Sequence, residues 1–289
     1  MNQHRKQSSY LLLMLSAYII LQFLWWGYML VAENPKKTTM VVGEGLVFLI
    51  ILVYGIWRYQ LSLHRELTLH QRQSNFLLSV THELKTPISS VQLILQTILK
   101  HNIEEDQRKI FIEKALDENK KSEALIQNML HAAGIEHNRL DLVLTEINLL
   151  EFFSSLNHHL TGRFGNSLSM KMPTNHITIH ADKYMLESVI NQLADNSFKY
   201  GAKHVNISVE ASKKEIDIIV SDDGIGVSEA DRPFIFEKFY RSGDDNKREQ
   251  SGTGLGLYIA KEFIGLHNGT LSHSHRMPCG SIFTIKLPK

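Results

Sequence analysis

The run Tyr10 to Ala32, YLLLMLSAYIILQFLWWGYMLVA, carries no charged side chain. No other feature limits the chain so strictly. A helix needs roughly 20 apolar residues to cross the hydrocarbon of a bilayer, and this run has the length. A second run, Met40 to Trp57, MVVGEGLVFLIILVYGIW, is nearly as long and holds one acid, Glu44, near its start. Trp25, Trp26, Tyr28, Tyr54 and Trp57 lie toward the ends, as interfacial aromatics do. A secretory signal is a poor fit, because the first run is long and no small-x-small cleavage pattern follows it cleanly. The expectation is therefore two transmembrane helices, 10–32 and 40–57, with the lipid bilayer as a partner. Residues 1–9 precede them, 33–39 form a short external loop, and 58–72 form a helical linker. Arg5 and Lys6 precede the first span, and Arg58, Arg65 and Arg72 follow the second. Against Lys36 and Lys37 in the loop, this bias puts both termini in the cytoplasm and the chain in the cytoplasmic (inner) membrane. The loop is too short to fold into a ligand-binding domain.

The rest of the chain is polar enough for water. The net charge of +1 makes no case for nucleic acid as a partner. The single cysteine, Cys279, excludes an internal disulfide framework and suits a reduced compartment. After Arg58, Leu77, Val80, Leu84, Ile88, Val91, Leu95 and Ile98 recur every three or four residues, which is a helical seam. A polar break, HNIEED, separates it from a second helical segment, Asp106 to about Ala133, with Gly134 expected to end it. Two such helices form an antiparallel hairpin, 73–135. One hairpin cannot bury both stripes, but two can as a four-helix bundle, so a homodimer is expected.

Beyond it, 145–289 interleaves strands and helices as one α+β domain. Strands are expected at Ile177–His180, Val205–Val209, Lys214–Val220 and in the tail SIFTIKLPK. Helices are expected at Tyr184–Tyr200 and Thr253–Leu266, and the stretch Gly224–Gly254 reads as a mobile loop.

Three segments of this domain carry chemistry. In VSDDGIGV, Asp222 ends a strand, where a carboxylate can accept from an amino group, and Gly224 and Gly226 let backbone approach a planar ligand. In SGTGLGLYIAKE, a glycine cluster opens a helix, and backbone amides at a helix start bind phosphates. In VINQLADNSFKYG, Gln192, Asn196, Lys199 and Tyr200 share a helical face that suits a hydrated magnesium ion and phosphates. Each alone is also what a tight turn or a solvated helix face looks like; their order and spacing together make the signal.

With these segments in place, the chain resembles the membrane-bound sensor histidine kinases of bacterial two-component systems. THELKTP is similar to the family's H box, NQLADNSFKY to its N box and SDDGIGV to its G1 box. IFEKFYR resembles the F box, GTGLGLYIAK the G2 box, and LHNGTLSHSHRMPCGSIFTIKLP the C-terminal strand pair. The likeness runs from about Gln73 to the end. It implies a dimerisation and phosphotransfer hairpin followed by an ATP-binding α+β sandwich of the Bergerat (GHKL) type. It implies ATP and Mg2+ as cofactors and a cognate response regulator as partner.

Position by position, the resemblance implies that His82 accepts the phosphoryl group, with Glu83 orienting the imidazole and taking its proton. It implies that Asp222 accepts from the adenine amino group, with Gly224 and Gly226 beside it. Asn196 would hold magnesium, Lys199 and Tyr200 would line the pocket, and Arg241 and Lys238 would approach the γ-phosphate. Gly252, Thr253, Gly254, Leu255 and Gly256 would form the phosphate-facing end of the lid. Thr86 matches the threonine that helps a water dephosphorylate the regulator, which implies phosphatase activity as well. One residue departs from the pattern: Gln192 stands where an asparagine is usual. It keeps the amide and adds a methylene, which leaves ATP binding intact but puts its rate and affinity in question.

Pro87, five residues after His82, removes a backbone hydrogen bond and is expected to kink or loosen the helix beside the acceptor. No folded module separates Trp57 from the H box, so the linker reads as one helix of roughly 27 Å that joins the second span to the bundle. The stimulus is then sensed in the membrane or delivered by a membrane partner, with Glu44 between Gly43 and Gly45 as one contact point or simply an interfacial acid. His64, His70, His101 and His131 read as structural, and nothing near His273 and His275 completes a metal site. Three other readings stay open: a gyrase- or chaperone-like ATPase, a scaffold with an inactive ATP site, and a kinase whose phosphatase activity dominates.

Overall fold

The computed structural model describes residues 14, 17–29, 32, 38–101, 103–137, 139–172, 177–212, 214–242 and 252–289. The chain divides into two compact units, Met1–Gln71 and Arg72–Lys289. In the first, residues 17–29 are helical and a long helix, α1 (Thr38–Lys100), begins. Among the described residues α1 is the one helix long and apolar enough to cross a membrane. Its apolar side chains, Ile50, Ile51, Val53, Tyr54 and Trp57 among them, are exposed. Phe23 stacks on Phe48 with ring centroids 4.7 Å apart, so the two apolar runs touch. The expected first span, 10–32, and the loop 33–39 fall partly outside the described residues.

In the second unit, α1 runs through Pro87 to Lys100 as one helix. Pro87 is buried, and its ring nitrogen offers no donor to the carbonyl of Glu83. After a short break comes helix α2 (Glu105–Glu136), over the second helical segment that the sequence leads one to expect. Gly134 does not end α2, as its sequence context suggested; the helix continues to Glu136 and is capped at His137. The glycine serves a different need. A Cβ there would stand 2.8 Å from Leu140 Cδ2, so Gly134 makes room for the chain that leaves the helix.

The α+β domain opens with β1 (Thr145–Asn148) and α3 (Leu149–Phe164). The next elements are β2 (Leu168–Lys171), β3 (Thr178–Ala181) and α4 (Lys183–Lys199). They are followed by β4 (Val205–Ala211) and β5 (Glu215–Asp222). Helix α5 (Gly256–Leu266) and strands β6 (Thr270–His275) and β7 (Ser281–Pro288) complete the domain. A five-stranded sheet has the order β2-β4-β5-β7-β6, parallel only between β2 and β4, while β1 pairs antiparallel with β3. Along β5 and β7 burial alternates, so one face of the sheet is packed. Ile216, Ile218, Val220 and Ile285 from the sheet meet Phe153, Leu160, Ile190, Leu193 and Phe263 from the three helices in one core.

Helix starts are fixed by side chains. Asn148 caps α3 by accepting from the Leu150 N–H. Asp182 caps α4 by accepting from the Met185 N–H at 3.1 Å, and its other oxygen accepts from Val143 N–H at 3.1 Å. The Asp182 N–H donates to His267 Nε2 at 2.8 Å. His267 Nδ1 lies 2.7 Å from the Phe263 carbonyl, so the neutral ring carries its proton on Nδ1 and pins the end of α5 to the start of α4. The core is close-packed around Phe153, which is fully buried. Phe153→Ala is expected to cost about 3–5 kcal/mol through the cavity it leaves, read as a lower midpoint in denaturant unfolding.

Candidate functional site

The site is built around Asp222, the last residue of β5, which is buried to 4% exposure. Its Oδ1 accepts from the Gly224 N–H at 2.9 Å and the Ser281 N–H at 3.1 Å. Its Oδ2 accepts from the Ser197 hydroxyl at 3.0 Å. One carboxylate thus ties together α4, the turn after β5 and the start of β7. Gly280 adopts φ 123°, and a Cβ on it would meet the Asp222 carbonyl at 2.0 Å. Only glycine lets the two backbones come so close. A cleft beside Asp222 is lined by Asn196, Tyr200, Ile225, Gly226, Tyr240, Arg241 and Phe283. A cleft that sets apolar side chains beside one fixed carboxylate suits an aromatic base that carries an amino group.

The polar mouth of the cleft comes from α4 and from the segments on either side of residues 243–251. Lys199 Nζ is so near Gly252 that a Cβ there would stand 2.3 Å from it, and the ammonium lies 5.3 Å from the Tyr200 ring centre. Desolvation lowers the Lys199 pKa below its ordinary value; Glu83 opposes the shift and Arg241 adds to it. Burial raises the Tyr200 phenol, with Arg241 opposing. Gly254 takes φ 70°, and a Cβ would lie 2.7 Å from the Tyr240 carbonyl. The Phe239 N–H donates to the Gly254 carbonyl at 3.1 Å. The IFEKFYR and GTGLG segments therefore pack backbone to backbone.

Gln192 stands behind this mouth rather than in the cleft. Its Nε2 donates to Asn196 Oδ1 at 3.1 Å, and its amide fills the space beside Gly256, where a Cβ would approach it to 2.4 Å. The extra methylene is accommodated because Gly256 has no side chain. A carbonyl oxygen has two acceptor positions, so Asn196 Oδ1 can take the Gln192 donor and still ligate a cation. Among the described residues no group of three or more His, Cys, Asp or Glu gathers to hold a metal. Magnesium is commonly held by very few protein ligands together with substrate phosphates, and Asn196 fits that pattern.

The other expected site residues separate into groups. Thr253 is buried and Leu255 is fully buried in the core, so they shape the GTGLG turn from within. Lys238 is not in the cleft. It pairs with Glu136 of α2 and lies over the Phe239 ring at 4.8 Å. On α1, His82 and Thr86 are exposed, and the Thr86 hydroxyl donates to the His82 carbonyl at 3.2 Å. The charge of Glu83 opposes the fall of the Lys199 pKa, and its buried Oε1 has no hydrogen-bond partner among the described residues. Ser197, Ser281 and Gly280 escaped the sequence reading. Ser197 follows Asn196 directly, but nothing in the sequence brings β7 to the end of β5.

Two family models match this unit. Residues 72–138 match the His Kinase A (phospho-acceptor) domain, and residues 181–289 match the histidine kinase-, DNA gyrase B- and HSP90-like ATPase. The chain is 26% identical over 272 residues to the sensor protein CiaH of Streptococcus pneumoniae, covering 89% of this chain and 58% of CiaH. It is 27% identical over 220 residues to the sensor-like histidine kinase SenX3 of Mycolicibacterium smegmatis, covering 74% of this chain and 57% of SenX3. With the sensor histidine kinase YclK of Bacillus subtilis the identity is 26%, covering 76% of this chain and 47% of YclK. The chain thus spans about half the length of these relatives. Among solved structures, the Acinetobacter baumannii histidine kinase AdeS shares the fold with a TM-score of 0.54 at 23% identity, covering 72% of this chain and 97% of that one.

Tyr240 lies in the cleft wall, and its hydroxyl donates to Asp231 Oδ1 at 2.6 Å. Burial, followed by the hydrogen bond to Asp231, pushes its pKa up from 10.0 to about 12. The neutral phenol is thus favoured in the folded state. Its contribution to stability is complete below pH 10 and is lost as the pH rises toward 12. Tyrosinate absorbance is expected to show one phenol titrating near 12 in the parent, and Asp231→Asn is expected to bring it back toward 10.

Proposed function

Because this chain belongs to the sensor histidine kinases, we propose that it uses ATP to phosphorylate His82 and passes the phosphoryl group to an aspartate of a response regulator. One observation carries this reading. The part of α1 that follows Gln71, with His82, and the cleft with Asp222 and Asn196 belong to one compact unit, in which Arg72 pairs with Glu237 and Phe76 packs on Phe239.

Asp222 receives the adenine amino group, and its three fixed donors leave it unable to turn away. Asn196 holds magnesium, which supplies neutralisation of the phosphate charge when bound. Lys199, Arg241 and the amides of the GTGLG turn draw the phosphates to the mouth. A ring nitrogen of His82 forms a bond to the γ-phosphorus as the bond to the β,γ-bridging oxygen breaks. The bonding pair leaves on ADP. The proton on the other ring nitrogen passes to the Glu83 carboxylate. Little covalent chemistry is asked of the protein beyond position and charge.

The remaining parts of the reading concern assembly. Residues 73–135 form the dimerising hairpin, supported by the exposure of Leu77, Ile88, Leu95, Ile112 and Ile126 along its seams in a single chain. Residues 145–289 form the ATP-binding domain. Runs 10–32 and 40–57 both span the cytoplasmic membrane, supported by their composition and by the Phe23–Phe48 contact. Signals reach His82 along the linker 58–72. Thr86, one helical turn after His82, positions the water that dephosphorylates the regulator.

The full chain in detergent or vesicles, given Mg2+ and ATP labelled on the γ-phosphate, is expected to acquire acid-labile, alkali-stable label. His82→Gln and Asn196→Ala should acquire none. Label that persists in His82→Gln would refute the assignment of the acceptor. Thr86→Ala is expected to keep autophosphorylation and lose dephosphorylation of the regulator; an unchanged dephosphorylation rate would remove Thr86 from that role.

A further inference from the structure

We propose that Ser79 is a positioning residue that fastens the phosphate-binding arginine, Arg241, to the phosphoacceptor helix of its own chain, one turn before His82. The proposal rests on the kinase reading above. It starts from one hydroxyl that is used twice. Arg241 Nη1 donates to Ser79 Oγ at 3.0 Å, and Ser79 Oγ donates to the Gly252 carbonyl at 3.2 Å. Arg241 borders the cleft, and Gly252 begins the glycine turn expected to face the phosphates. Ser79 therefore joins both sides of the phosphate mouth to α1.

Ser79 does not act on an isolated stretch of helix. Arg72, Phe76, Ser79 and Glu83 recur every three or four residues, which puts them on one stripe of α1. The first three meet the ATP-binding domain of the same chain, and the charge of the fourth is felt at Lys199. Arg72 pairs with Glu237, and its guanidinium lies 5.1 Å from the Tyr240 ring centre. Phe76 packs on Phe239 with ring centres 4.3 Å apart. Glu83 acts on Lys199. The aromatic and charged contacts hold the stripe in place, while Ser79 is the member that touches a proposed phosphate ligand by a hydrogen bond.

The spacing makes this useful for phosphotransfer. Side chains three apart on a helix have Cβ atoms roughly 5–6 Å apart, so a guanidinium bonded to Ser79 sits at the flank of His82. A guanidinium carries five N–H donors in a fixed fork, so engaging a hydroxyl and a phosphate together is within its chemistry. Held this way, the γ-phosphoryl group is presented to the histidine of the chain that binds the nucleotide. Alanine removes the bridge without altering the helix, and threonine keeps the hydroxyl.

The test uses the full chain in vesicles. Ser79→Ala is expected to slow His82 labelling at saturating ATP by roughly tenfold or more, the size of losing one hydrogen bond to a charged group. Its affinity for a fluorescent nucleotide should not change, and Ser79→Thr should restore the rate. Labelling as fast as the parent or faster, or a parallel loss of nucleotide affinity, would overturn the positioning role. For the same-chain part, His82→Gln and Asn196→Ala chains are co-expressed with different tags and purified as mixed dimers. These should take no label, and label on the Asn196→Ala chain would show transfer between chains and overturn it. A parent that takes no label at all would bring down the kinase reading itself, which a labelled parent with a fully active Ser79→Ala would not.

Discussion

The buried carboxylate of Asp222 holds the cleft together. A buried carboxylate is stable only when it is well hydrogen-bonded, and here two backbone N–H groups and one hydroxyl take three of its roughly four acceptor positions, leaving one for a ligand. The donors come from three parts of the chain far apart in sequence. Bringing them together requires the end of β5, the start of β7 and the last turn of α4 to meet at one point. Gly280 permits it, because its backbone touches the Asp222 carbonyl where a side chain would not fit. The cleft follows from that meeting, with its apolar slot on one side of the carboxylate and the polar mouth on the other. A site so constrained is pre-organised, which suits a reaction governed by position and charge.

The hairpin adds a second constraint. One stripe of α1 is engaged by the α+β domain through Arg72, Phe76 and Ser79. On α2, Lys238 pairs with Glu136, and the His131 ring packs on Phe263 and Tyr184. Burial lowers the His131 pKa, in keeping with a ring held as packing rather than as a charge. The seam Leu77, Ile88 and Leu95 belongs to neither set and stays exposed. The same helix therefore offers one face to the α+β domain of its own chain and leaves another, apolar face exposed.

Much of this was legible in the sequence, and the failures are informative. The strands around Val205 and Ile216 and the helix from Lys183 were visible because burial on one face leaves a period of two or near four. Helix α3 has no counterpart among the sequence expectations, although Asn148 and Glu151 mark its start and Leu149, Phe152, Phe153, Leu156 and Leu160 form its buried stripe. Gly134 was misread as a helix end, since a glycine that makes room for Leu140 looks no different in sequence from one that adopts a left-handed turn. Lys238 resembled a phosphate ligand by position, yet Glu136 lies closer in space. Gln192 looked like a weakened ligand, but it supports Asn196 from behind and fills the gap at Gly256.

By itself the sequence determined the apolar runs, the hairpin seam, the strand and helix periods and the motif residues, because each depends on chemistry within a few residues of chain. Only the tertiary structure decided which of those residues meet. Ser281 and Gly280 reach Asp222 through the pairing of β7 with β5, and Ser79 reaches Arg241 and Gly252 through the packing of α1 on the cleft. Such contacts join positions scores of residues apart, and local periodicity carries no record of them. They are fixed by how the whole core closes, where one buried carboxylate and one bridging hydroxyl must each find their partners at hydrogen-bond distance.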